Sequence, residues 1–259
     1  MTARLLAVTV VLSSAATVSA QGYKYLNSVA TFKVAPGKET AFVDKGKAFI
    51  PVLDKLLDSG LILGYGIDVD MLHVPDNNNI TFWTEPVNYD ALAKSDGAID
   101  AFIKSNPALM QDLASIADMT THHDFILRTW EGSHKGVPAG GQPVEDIDSV
   151  RVKPGRGHDF LTLFRNFDKP VYEKLVADGV IYAYELDSEA VHTLEPGLIW
   201  VIVTMPSLGA KDKVNAAFDE AEKALPEGER DILDKEYQDV TVAGSHRDSL
   251  ATSVVFRVK

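Results

Sequence analysis

The sequence predicts an α+β protein made of two tandem βαββαβ units that pair sheet to sheet. Three observations carry this reading. The second half of the chain repeats the first, each half alternates strand-period and helix-period stretches in the same order, and a Gly/Pro-rich stretch lies between them.

The repeat is legible residue by residue. Val34-Ala35-Pro36-Gly37-Lys38 recurs as Val152-Lys153-Pro154-Gly155-Arg156, and Phe42 recurs as Phe160, both at an offset of 118. One inserted residue then moves the offset to 119. Pro51 matches Pro170, Gly60 matches Gly179, Tyr65 matches Tyr184, Asp68 matches Asp187, and His73 matches His192. The units span 21–131 and 144–259. The stretch 132–143, GSHKGVPAGGQP, has no hydrophobic period and reads as the linker.

Unit one opens with a strand over 25–34, which alternates toward Val29 and Val34 and is broken by Pro36-Gly37. Residues 38–59 carry apolar side chains at helical spacing, divided by Pro51 and stopped at Gly60. Strands are expected over 61–69 and 80–84, joined by the polar turn Asp76-Asn77-Asn78-Asn79. A helical region covers 89–117, interrupted near Asn106-Pro107, and a strand follows over 124–130. Unit two repeats the order. Strands are expected over 144–152, 180–186, 198–205 and 253–258, with helices over 157–178, 209–225 and 229–237. A βαββαβ unit places both helices on one sheet face and leaves the other bare. The sheet of the sister unit is the simplest cover for it.

Composition narrows the function classes. The chain has 259 residues, 25 basic and 37 acidic side chains, and a formal charge of −12. That charge opposes binding to nucleic acid or to an anionic membrane surface. The absence of cysteine removes disulfides, thiolate metal sites and cysteine nucleophiles. Residues 1–20 have a basic Arg4, an apolar run from Leu5 to Leu12, and a small-residue Val18-Ser19-Ala20 end. They read as a secretory signal cleaved before Gln21, too short to span a bilayer. A periplasmic or secreted bacterial protein is expected, with no membrane contact after cleavage.

A strand ending in V-x-P-G before Lys or Arg, then a helix, then a Gly-Leu-Ile or Gly-Val-Ile strand, resembles the dimeric α+β barrel (ferredoxin-like) superfamily. Antibiotic-biosynthesis monooxygenases, EthD-like and NIPSNAP-like proteins, chlorite dismutases and haem-degrading monooxygenases belong to it. The resemblance covers nearly the whole mature chain in element order. It implies two ferredoxin-like units forming a pseudo-dimeric α+β barrel around a pocket, as a monomer or a higher homo-oligomer. It transfers no catalytic residue.

The site candidates come from the repeat and from chemistry. His73 and His192 follow equivalent strands, with Tyr65/Tyr184 and Asp68/Asp187 upstream. Imidazole beside a carboxylate suits acid–base work. Tyr65 and Asp68, however, are three apart on a strand and face opposite ways. Copied structural residues are the plainer explanation of the match. His123 and His246 stand at the entrances to the closing strands. Adjacent histidines such as His122-His123 diverge on a strand, so no metal site is expected. Trp83 and Trp200 lie on equivalent strands with the same facing and are candidate walls for a planar ligand. Arg128 is a candidate partner for a ligand carboxylate. Gly140-Gly141 lacks the lysine and spacing of a phosphate loop, and no G-x-S-x-G elbow exists.

The leading expectation is an exported protein binding a small apolar or aromatic ligand between its sheets, with no cofactor. A cofactor-independent monooxygenase or isomerase is the alternative. Haem binding through His73, His123, His192 or His246 is a third reading, and a structural or interaction role is a fourth.

Overall fold

The computed structural model describes residues 23–72, 78–138, 141–193 and 195–259. The expected signal segment and His73 lie outside these residues. Unit one contributes β1 (Tyr25–Val34), α1 (Glu39–Gly46), α2 (Ile50–Ser59), β2 (Ile62–Asp70), β3 (Ile80–Pro86), α3 (Tyr89–Ser105), α4 (Pro107–Ala114) and β4 (Ala117–His134). Unit two contributes β5 (Val144–Arg151), α5 (Gly157–Asn166), α6 (Asp168–Ala177), β6 (Ala183–Glu189), β7 (Leu198–Met205), α7 (Ala210–Ala224), α8 (Glu227–Val240) and β8 (Arg247–Val258).

Local chemistry sets several boundaries. Pro51 and Pro107 sit in the first turns of α2 and α4, where a missing N–H costs nothing. Each therefore splits a long helical pattern in two. The Asn88 side chain caps α3 by accepting from the Ala91 amide at 2.9 Å. The β6–β7 connection ends in Glu195-Pro196-Gly197. Gly197 has φ +82°, and a Cβ there would collide with the Val152 carbonyl oxygen, so only glycine fits.

The strands close into one antiparallel barrel in the order β1-β3-β2-β8-β5-β7-β6-β4. Each unit supplies a four-stranded sheet, β4-β1-β3-β2 and β8-β5-β7-β6. The two sheets join edge to edge. β2 pairs with β8 from Gly64↔Val258 to Asp70↔Ala251, and β4 pairs with β6 from Leu127↔Glu189 to His134↔Ala183. Closure leaves no open sheet edge. The barrel is completed within one chain.

Burial is arranged in three clusters. Phe42, Leu53, Leu56, Ile62 and Tyr65 pack unit one's helices on its sheet. Phe160, Phe164, Tyr172, Leu175 and Tyr184 do the same for unit two. A smaller cluster of Val29, Trp83 and Leu127, with Phe125, Trp200 and Phe256 against it, fills part of the barrel interior.

The closing strands differ most from expectation. β4 begins at Ala117 rather than 124 and runs through His134, into the stretch read as linker. β8 begins at Arg247 rather than 253, and β6 at Ala183 rather than 180. Ladder pairing to both neighbours extends β4, which meets β1 along one edge and β6 along the other with a register shift in each. Polar residues such as Thr120, Thr121 and His122 look like loop by hydropathy; they lie at the register shift between the pairs Thr31↔His123 and Lys33↔Asp118, and pairing of Ala117 and Asp118 with β1 beyond it carries the strand to this end.

Candidate ligand site inside the barrel

Eight strands enclose an interior that side chains nearly fill, with room for one small ligand. Here the remaining cavity measures about 120 Å³. An apolar cavity of roughly 150 Å³ accommodates benzene, so this one has room for about a single ring. One part of the wall is aromatic. Trp83 meets Phe256 edge-on at 5.4 Å between ring centroids, and Phe125 stacks on Trp200 at 6.2 Å. Gly66 lets Trp83 lie flat against β2, since a Cβ there would be 2.5 Å from the indole.

The rest of the interior is acidic. Asp68, Glu85, Glu145, Glu185 and Asp187 are all buried. They come from inward-facing positions on β2, β3, β5 and β6. Ser253 donates to Asp68 at 2.6 Å, and Tyr25 donates to Glu185 at 3.0 Å. No lysine or arginine is among the residues lining the cavity.

The two halves of this interior are related by the repeat. Asp68 sits with Ser253 and Glu145. Asp187, its counterpart, sits with Thr129 and Asn27. Asn27 occupies the position of Glu145, so the duplicated units differ here by an amide against an acid. Neither Asp187 oxygen finds a hydrogen-bond partner, and the same holds for Glu85 Oε2, Asn27 Oδ1, Thr129 Oγ1 and Trp83 Nε1. Buried polar groups are ordinarily satisfied, so six unmet polar atoms on five residues set this part of the barrel interior apart.

Burial disfavours charge and lifts all five carboxyls. Glu85 is pushed up to about 7 by desolvation, against the pull of Glu185 and with help from Asp187. Glu185 and Asp187 are raised well above the carboxylate range by burial and then by neighbouring acids. In the Asp68–Glu145 pair burial raises both. Ser253, Trp83 and Glu145 hold Asp68 lower, so Asp68 ionises first. His134, also lining the cavity, is lowered by burial and by Lys24 and stays neutral.

The residues singled out from sequence divide between interior and exterior. Trp83 and Trp200 both line the cavity. Tyr65 and Tyr184 point the other way, into the helix layers, where their hydroxyls reach Asp54 at 2.5 Å and Glu173 at 3.4 Å. Asp68 and Asp187, three residues on, point inward, as strand parity requires. His123 is exposed, and His192 lies on an exposed turn 3.8 Å from Glu189. Arg128 lies over Trp130 and donates to the Ala190 carbonyl at 3.0 Å, a structural contact outside the barrel. His246 stands on the exterior beside Asp248 and Asp148. These three are the one set of described side chains whose metal-ligating atoms gather within 4.8 Å. Sequence reasoning missed Glu85, Glu145 and Glu185. Their signal was position: they share strand parity with Trp83, Ile147 and Asp187.

No protein-family model matches the chain, and neither does any curated protein. Solved structures do resemble it. A candidate monooxygenase from Fusobacterium nucleatum subsp. nucleatum ATCC 25586 is 12% identical over 92% of this chain and 95% of that one, with a TM-score of 0.61. A candidate monooxygenase from Lactobacillus acidophilus NCFM is 14% identical over 91% and 96%, with a TM-score of 0.59. A haem-binding protein from Thermus thermophilus is 9% identical over 90% and 91%, with a TM-score of 0.50. The interior cavity of this chain does not fit a haem. It has the volume of one small ring, far below that of a haem, and although His134 lines it, no lysine or arginine there could meet the propionates. At such identities the likeness speaks for the fold alone: the chain has the dimeric α+β barrel fold, with both halves of the barrel supplied by one polypeptide.

Proposed function

We propose that this is an exported small-molecule-binding protein whose site is the barrel interior. The observation that carries the reading is a cavity walled by Trp83, Trp200, Phe125 and Phe256 and edged by unsatisfied polar atoms. A pocket with apolar walls and a few convergent polar groups is the usual form of a ligand site. The cavity volume selects a single ring over a polycycle. Export rests on the make-up of residues 1–20. Titration of the protein with one-ring compounds, followed by tryptophan emission, tests the binding reading. Saturable quenching is expected, and it should vanish in Ile202→Phe, which fills the cavity. Unchanged affinity in that variant would place the ligand elsewhere.

A second reading is favoured by one observation. Asp68 and Glu85 stand beside the cavity with carboxyls held near pH 7, where a general base works best. A cofactor-independent oxygenase would use such a carboxylate to take a proton from an activated ring CH₂. Dioxygen would then convert that CH₂ to C=O with release of water. Oxygen uptake with a one-ring substrate should fall at least a hundredfold in both Asp68→Asn and Glu85→Gln. Uptake at the wild-type rate in both would rule this out.

A further inference from the structure

The acidic end of the cavity lacks a partner of opposite sign. Asp187, Glu85 and Asn27 are each more than nine-tenths buried and carry oxygens with no hydrogen-bond partner within reach; Glu85 and Asn27 line the cavity, and Asp187 lies beside Asn27 and Thr129. Without a ligand the donors among these oxygens are the acids' own protons, as between Glu85 and Glu185, and an entering donor of opposite charge would take their place. A donor that satisfies several acidic acceptors at once is a cation. A bare metal ion is the poorer match. Among the described residues, no three interior ligand atoms gather within 4.8 Å, so the oxygens are spread wider than one ion's coordination shell. A spread of acceptors beside indole faces suits an organic cation, whose N–H groups fan out and whose charge is drawn to aromatic rings.

We propose that the barrel takes up a small organic cation, a protonated primary amine on a single ring, with the ring against Trp83 and Trp200 and the ammonium among Glu85, Glu185 and Asp187. This rests on the interior being the ligand site and names the class of ligand. Trp200 faces Asp187 across the β6–β7 ladder, so ring and ammonium subsites adjoin.

The titratable groups around the ammonium position come from several strands. Glu85 and Asp68 are on β3 and β2, Glu145 on β5, and Glu185 and Asp187 on β6, with Tyr25 on β1 and His134 on β4. Burial keeps most of the acids protonated without a ligand. An arriving cation favours their ionised forms, so binding releases protons and tightens as pH rises from 6 to 8.

Calorimetric titration of the full mature chain at pH 7.5 with benzylamine, benzyl alcohol and benzoate tests this, run in two buffers of different ionisation enthalpy. Benzylamine should bind at least tenfold tighter than benzyl alcohol. Benzoate should not bind, and the benzylamine heat should differ between buffers with the sign of proton release. Asp187→Asn should weaken benzylamine at least fivefold and leave benzyl alcohol unchanged, and Glu185→Gln supplies the same comparison if Asp187→Asn fails to fold. Benzyl alcohol or benzoate binding as tightly as benzylamine would overturn the cation assignment while leaving the interior site standing. Failure of all three to bind would overturn both.

Discussion

Replacing Glu85 by glutamine should make the protein more stable at neutral and alkaline pH and leave it unchanged in acid. The carboxyl is fully buried and rises from its ordinary 4.5 to about 7, chiefly through desolvation. A group with a raised folded-state value binds more protons folded than unfolded, so stability falls as pH rises between the two values. Its contribution is whole below pH 4.5 and lost as pH climbs through 7. The shift of about 2.5 units corresponds to ~3 kcal/mol at 1.36 kcal/mol per unit. Glutamine is nearly the same shape as the protonated acid and cannot ionise, so the variant escapes this cost. For a chain of this size ~3 kcal/mol moves the melting temperature by roughly 6–12 °C. Thermal unfolding of wild type and variant from pH 4 to pH 8.5 measures it. The two curves should coincide at pH 4 and separate by that amount above pH 7.5. A difference that is constant across the range, or a variant less stable at pH 8, would refute the assignment of a buried, neutral Glu85.

Other perturbations should behave differently. Glu131 lies between β4 and the helices, accepting from Arg165 at 2.5 Å and Lys169 at 2.8 Å. Burial alone would raise it, but the two cations outweigh this and hold it below its usual value. Its contribution is therefore present above about pH 4.5 and lost as pH falls through the depressed value. Glu131→Gln should cost ~1–2 kcal/mol at pH 7, discounted because both cations are partly exposed, and nothing near pH 3. Gly66→Ala should cost ~1–3 kcal/mol, because the new methyl group pushes the Trp83 indole into the cavity. Its emission spectrum should shift and one-ring ligands should no longer quench it. Gly197→Ala should destabilise by more than ~1 kcal/mol in thermal unfolding, through both a positive φ and the clash with Val152.

Much of the fold can be read from the residues alone because the repeat supplies each element twice. Strands β1 and β7 lie where hydrophobic alternation places them, and Pro51 and Pro107 divide helices as their missing amides require. Strand ends are less legible. The first residues of β4 are polar, and only pairing with β1 makes them strand. The site was harder to see. Acidic residues on a strand ordinarily mark its solvent face, but a closed barrel wrapped in helices buries both faces of its strands. Glu185 and Asp187 therefore look exposed in sequence and lie inside. The histidines drew notice for their chemistry and their repeat, yet His192 and His246 fall at strand ends and connections, which are on the surface. Parity was the better guide, since it set Tyr65 and Asp68 on opposite faces.

A crystal structure of the protein soaked with benzylamine would test the central claim most directly. The expected density is a ring beside Trp83 and Trp200, with the nitrogen within hydrogen-bond distance of Asp187 and either Glu85 or Glu185. An empty barrel with benzylamine bound elsewhere on the surface would contradict it.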